Sequence, residues 1–132
     1  MTIYVLCGLP ASGKSTISEK MAIEKNAKLF HCDNYTTHKL KDFYSEIREA
    51  LHTTDVVIDG IFLTRKARND LLNELKNIDC EKILVNVETP VAECIKRNKD
   101  RKHPVGNMII HLLHKHYQEP MLAEGWNEIQ HV

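Results

Sequence analysis

The residues Gly8-Leu9-Pro10-Ala11-Ser12-Gly13-Lys14-Ser15-Thr16 carry two glycines, a lysine and a hydroxyl in the spacing G-x-x-x-x-G-K-S, directly after the apolar run Ile3-Tyr4-Val5-Leu6-Cys7. Glycines at these positions let consecutive backbone N–H groups curl around an anionic phosphate, and the helix that follows aims its positive end at the same point. In such a loop Lys14 reaches the β and γ phosphates, and the Ser15 hydroxyl takes Mg²⁺. Gly8, Pro10, Ala11, Ser12, Gly13, Lys14, Ser15 and Thr16 together form a candidate nucleoside triphosphate site.

Two carboxylates have positions that fit the same chemistry. Asp33 follows the apolar stretch Lys28 to Cys32, where it would face the γ-phosphate and act as a base toward an acceptor hydroxyl. An Asx turn over Asp33-Asn34-Tyr35 is the alternative. Asp59 closes Val56-Val57-Ile58 and can hold a water of Mg²⁺, or serve only as a turn residue before Gly60. The cluster Lys96, Arg97, Lys99, Asp100, Arg101, Lys102 reads either as a solvated helix end or as a basic lid over about 96–104. In the second case Arg97 or Arg101 neutralises charge that develops during phosphoryl transfer. His103, His111, His114 and His116 lack the spacing of a metal site, and Tyr35 and Trp126 suit core or hinge packing better than base stacking.

These groups need elements to hold them, and the hydrophobic pattern supplies alternating strands and helices. A first helix runs from Ser15 to about Lys25, burying Ile17, Met21 and Ala22, and a short strand follows over Lys28 to Cys32. Leu40, Phe43, Tyr44, Ile47 and Leu51 share one helical face. Val56-Val57-Ile58 has the uninterrupted apolar character of a central parallel strand. Thr64 caps a helix that buries Ala67, Leu71, Leu75 and Ile78. Ile83 to Val87 is a fourth strand, and Thr89-Pro90 gives a cap and a first-turn proline to the helix with Val91, Cys94 and Ile95. A further helix spans about Val105 to Tyr117, and Trp126 to His131 is a weak fifth strand. Strands alternating with helices imply a parallel sheet with ligands at its carboxyl end, where the phosphate loop, Asp33 and Asp59 all fall.

With 132 residues, 42% of them hydrophobic, the chain has the size of one domain over 1–132. Its 18 basic and 18 acidic residues cancel, which excludes a global field able to grip a long nucleic acid. Cys7, Cys32, Cys80 and Cys94 have no C-x-x-C spacing, and no apolar run approaches the ~18 residues of a membrane span. The expectation is a cytoplasmic protein without a membrane partner.

The whole pattern resembles the kinase module of the polynucleotide 5′-hydroxyl kinases, among the small phosphate-loop kinases. Gly8 to Thr16, His31-Cys32-Asp33-Asn34-Tyr35 and Ile58-Asp59-Gly60 carry the likeness, with a C-terminal block of Arg97-Asn98 through Arg101, His103-Pro104-Val105, Tyr117-Gln118-Glu119-Pro120 and Ala123-Glu124-Gly125-Trp126-Asn127-Glu128-Ile129. It implies a three-layer α/β fold with a parallel sheet of about five strands, helices on both faces and a basic lid. It also raises Trp126 to His131 to a firm fifth strand. It implies Lys14 on the β and γ phosphates, Ser15 on Mg²⁺, Thr16 near the α-phosphate, Asp33 as general base and Arg101 as lid arginine, with Arg97 as a second lid contact. Cys32 stands where an arginine commonly precedes the aspartate, Thr36-Thr37-His38 offers no arginine after it, and Ile61-Phe62 replaces a polar Thr-Asn pair.

The expected activity is transfer of the γ-phosphoryl group of ATP, with Mg²⁺, to the 5′-OH end of DNA or RNA through contacts with a few nucleotides. A kinase for a nucleoside, nucleotide or other small metabolite is the alternative within the same chemistry, and an NTP-binding switch or assembly ATPase is the alternative outside it.

Overall fold

Alternation along the first strand assigns its side chains to two cores. Ile3, Val5 and Cys7 pack into one buried cluster, and Leu6, flanked by the half-buried Tyr4, into the other. The computed structural model describes residues 1–32 and 39–132. Its strands are β1 (Thr2–Cys7), β2 (Lys28–His31), β3 (Val56–Asp59), β4 (Glu81–Asn86) and β5 (Glu128–His131). They form one parallel sheet in the order β2-β3-β1-β4-β5. Because β1 and β3 lie inside the sheet with both faces covered, they carry apolar runs rather than an alternating pattern.

The helices are α1 (Lys14–Glu24), α2 (Leu40–Ala50), α3 (Arg65–Leu75), α4 (Val91–Asn98) and α5 (Asn107–Lys115). Helix α1 covers one face, where Ile17, Met21 and Ala22 lie against Leu6, Val57, Ile83, Val85 and Val87. Helices α2 to α5 cover the other, through Phe43 and Ile47, Leu71 and Leu75, Cys94 and Ile110 respectively. The result is the three-layer α/β architecture that the pattern predicts.

Several local expectations need correction. In α1 only Ser18 is fully buried, and Ile17, Met21 and Ala22 are partly covered. Thr64 caps α3 as predicted, its hydroxyl accepting from the Ala67 N–H at 3.2 Å, but α3 stops at Leu75 and leaves Ile78 beyond it. Thr89 does not cap α4: Pro90 is the N-cap residue, and the Thr89 hydroxyl instead donates to the Ser12 carbonyl at 2.6 Å. Helix α5 is shorter than Val105 to Tyr117, since Val105 N–H and C=O bond to the Asn98 side chain and cannot enter the helix ladder. Trp126 precedes β5 and is buried, its indole N–H donating to Glu124. Among the described residues no helix is long and apolar enough to cross a membrane.

Candidate active site

The phosphate loop joins β1 to α1, and its backbone takes the conformation that turns N–H groups inward. Ala11 has φ +62° and Gly13 φ +95°. A left-handed residue costs an L-amino acid about 1–2 kcal/mol, so glycine relieves the strain at one of these positions while Ala11 bears it. Gly13 has a second reason to be glycine, because a Cβ there would lie 3.2 Å from an Arg97 guanidinium nitrogen. Helix α1 has no side-chain cap and no acid in its first turn, so its positive end is left for an external anion.

The loop is fastened from three directions. Its first residue, Gly8, donates to the Ile61 carbonyl at 3.1 Å. The Ser12 carbonyl accepts from Thr89 Oγ1 and, at 3.2 Å, from Arg97, whose Nε also meets Glu93 at 3.1 Å. Lys14 Nζ donates to the Leu9 carbonyl at 3.2 Å, back onto the loop itself. Ser12 is buried, and among the described residues its hydroxyl has no hydrogen-bond partner.

A cavity of about 710 Å³ opens at the carboxyl end of the sheet, lined by Pro10, Ala11, Gly13, Lys14, Ser15, Thr16, Asp59, Gly60, Arg97 and Arg101. The remainder of its lining is apolar: Ile61, Val105, Ile109 and Leu113. Sequence reasoning thus chose residues that the fold brings to one place. Gly8 lines a second, smaller cavity beside Leu9 and Glu88. Asp33 lies outside the described residues.

Ser15 Oγ donates to Asp59 Oδ2 at 3.0 Å, and His31 Nδ1 lies 3.1 Å from the same oxygen. A hydroxyl beside a buried carboxylate, at an uncapped helix start, is an oxygen donor set suited to Mg²⁺, which keeps several waters and takes few protein ligands. Among the described residues no cluster of three His, Cys, Asp or Glu could hold an ion.

One buried assembly behind the site escaped sequence reasoning. Arg68 on α3 is fully buried and donates from Nε to Glu124 Oε1 at 2.8 Å, from NH2 to Glu124 Oε2 at 3.1 Å, from NH1 to the Phe62 carbonyl at 2.9 Å and from NH2 to the Gln118 carbonyl at 2.8 Å. It ties the loop after β3 to the segment before β5. Burial alone would raise the Glu124 carboxyl, but the bonds from Arg68, Trp126 and the Met121 N–H outweigh it and hold the group below its usual range. The available signal was positional: Arg68 is a charged residue on the face that Leu71 and Leu75 bury. In the same loop, Gly60 is required because a Cβ would collide with the Phe62 ring, and Phe62 itself has φ +43°. Cys7 lies beside this loop with its Sγ donating to the Phe62 carbonyl at 3.1 Å, and burial pushes its thiol up to about 11.

A family model described as an AAA domain matches residues 3–120. The chain belongs to this family. It is similar to the L-seryl-tRNA(Sec) kinase of Methanococcus maripaludis, 26% identical over 142 aligned positions that cover 95% of this chain and 56% of that protein. The chain therefore spans little more than half the length of this curated relative. Two solved structures share the fold. A fungal RNA kinase superimposes with a TM-score of 0.80 at 12% identity, covering 99% of this chain and 38% of that one. A gluconokinase from Sinorhizobium meliloti 1021 does so with a TM-score of 0.71 at 16% identity, covering 99% and 81%. Their names span RNA and sugar kinases, so the fold alone leaves the acceptor open.

Proposed function

We propose that this P-loop kinase transfers the γ-phosphoryl group of ATP to a hydroxyl at the end of a nucleic acid, with the 5′-OH of DNA or RNA as its acceptor. The observation that carries the reading is the mixed lining of the cavity: Lys14, Ser15, Thr16, Asp59, Arg97 and Arg101 are polar or charged, while Ile61, Val105, Ile109 and Leu113 are apolar. A polyhydroxylated sugar needs a hydrogen-bond partner for each hydroxyl it buries, and the apolar lining offers none from those four side chains. The flat face of a nucleobase suits it.

In this reading Lys14 and the loop N–H groups bind the β and γ phosphates, and Thr16 lies near the α-phosphate. Ser15 and Asp59 would hold Mg²⁺, which would supply charge neutralisation to the phosphates. Asp33 accepts the proton of the acceptor hydroxyl as its oxygen bonds to the γ-phosphorus. The bond from that phosphorus to the β–γ bridging oxygen breaks, and ADP leaves. Arg101 stabilises charge on the group in transit, and Arg97 holds the loop through Ser12 as it contacts the nucleotide. Residues 1–132 form one such kinase unit, with residues from about 96 to 104 as its lid.

A second reading, favoured by the match to the L-seryl-tRNA(Sec) kinase, moves the acceptor hydroxyl to an aminoacyl group carried by tRNA. The deciding experiment offers ATP labelled at the γ-phosphate with 5′-OH oligonucleotides, seryl-tRNA, nucleosides and gluconate, using acceptor-free hydrolysis as the control. Label on oligonucleotide 5′ ends supports the proposal. Label on seryl-tRNA alone selects the second reading, and label on nucleosides or gluconate alone rejects both. Hydrolysis unaffected by every acceptor would point to a nucleotide switch.

A further inference from the structure

His31 ends β2 and Asp59 ends β3, and the parallel register makes the two residues Cα partners. In-register neighbours on adjacent strands send their side chains to the same face of the sheet. The imidazole Nδ1 accordingly lies 3.1 Å from Asp59 Oδ2, the oxygen that also accepts from Ser15 Oγ at 3.0 Å. Asp59 is 8% exposed, so little water is available to replace either donor. Two donors from separate elements converge on one carboxylate oxygen, which stops rotation of the group and sets the direction of its second oxygen.

We infer that His31 is a positioning residue for the Mg²⁺-binding carboxylate. Its Nδ1–H donates to Asp59 Oδ2 and holds the carboxylate so that Asp59 and Ser15 meet the cation together. Such outer partners of a metal ligand orient it and raise its effective affinity. The inference rests on the phosphate-loop kinase reading of the cavity and is independent of the acceptor. It also requires a particular donor position. An asparagine amide nitrogen occupies nearly the same place as imidazole Nδ1, whereas glutamine sets its amide one bond farther along the side chain.

The test measures binding of Mn²⁺, a spectroscopic substitute for Mg²⁺, from the loss of the free-ion electron paramagnetic resonance signal in the presence of ADP, without acceptor or turnover. His31→Leu should weaken Mn²⁺ binding about 10-fold or more, the usual scale for losing an outer partner. ADP affinity in EDTA should stay at the parental value, while the melting temperature should fall modestly, by the loss of one hydrogen bond to a buried carboxylate. His31→Asn should return Mn²⁺ affinity to near the parental value, and His31→Gln should not. If His31→Leu does not fold, the Asn and Gln variants carry the comparison. Parental Mn²⁺ affinity in His31→Leu, or equal weakness in the Asn and Gln variants, overturns the inference alone. Failure of the parent protein to bind Mn²⁺ with ADP overturns the kinase reading on which it stands.

Discussion

Replacing Arg68 by methionine keeps much of the side-chain volume and removes all four hydrogen bonds at once. Glu124 would then be left mostly buried with only the exposed Arg65, 3.9 Å away, as a counter-ion, and the Phe62 and Gln118 carbonyls would each lose a donor. Breaking a buried ion pair from one side costs about 3–5 kcal/mol, because the surviving charge is stranded. In a chain of this size such a loss lowers the melting temperature by roughly 10–20 °C. The measurement is urea unfolding followed by the fluorescence of Trp126, whose indole contacts the same carboxylate. Glu124→Gln should also destabilise, and the double variant should lie near the worse single variant rather than at their sum, since the second change removes a partner already orphaned. The pH dependence has a definite sign. The folded Glu124 carboxyl lies below its ordinary value of 4.5, so its stabilisation is present above that value and is lost as pH falls through the folded one. The parent protein should lose this increment on acidification and Glu124→Gln should not. An Arg68→Met variant within about 1 kcal/mol of the parent, or additive single effects, would refute the account.

Lys14→Ala should abolish phosphoryl transfer while leaving the melting temperature near the parental value, because the ammonium donates to the Leu9 carbonyl of the loop; retained turnover would sink the assignment of the loop. Asp33→Asn should keep ATP affinity within a few-fold and lower kcat by about 10² to 10⁴, the typical contribution of a general base; parallel loss of nucleotide binding would make Asp33 a metal or structural residue. Arg101→Ala should reduce kcat more than substrate affinity, and Arg101→Lys should restore little, since an ammonium cannot bridge two phosphate oxygens as a planar guanidinium can; full rescue by lysine contradicts the lid role.

The phosphate loop was legible because its function is local: glycines, lysine and hydroxyl act through neighbouring backbone, and their spacing is the mechanism. Asp59 was legible for a related reason, since the end of an apolar parallel strand is where such sheets place their ligands. What depended on contacts distant in the chain was not. Thr89 has the type and position of a helix cap, yet its hydroxyl donates to the Ser12 carbonyl of the phosphate loop, and Pro90 takes the N-cap position. Val105 has helical surroundings, but the Asn98 side chain takes both of its backbone groups. Arg68 looked like one charge among several on α3, because only the folded chain shows Glu124, Phe62 and Gln118 meeting there. His31 could be read only once the register of β2 on β3 set it beside Asp59.

The place of β1 in the sheet has a consequence for how the protein is made. Ile3 pairs with Val56 and Thr2 with Glu81, so β1 is synthesised before either of its neighbours. At ribosomal rates of about 5–20 residues per second, roughly 4–16 s separate β1 from completion of β4. For about the first 3–10 s of that interval, until β3 is made, this apolar strand has no native partner, and its edge toward β4 stays unsatisfied until the end. Long-range parallel pairing of this kind is slow to form and open to aggregation. Elongation speed and chaperone access during those seconds should therefore govern the yield of active protein more strongly than the equilibrium stability of the finished fold.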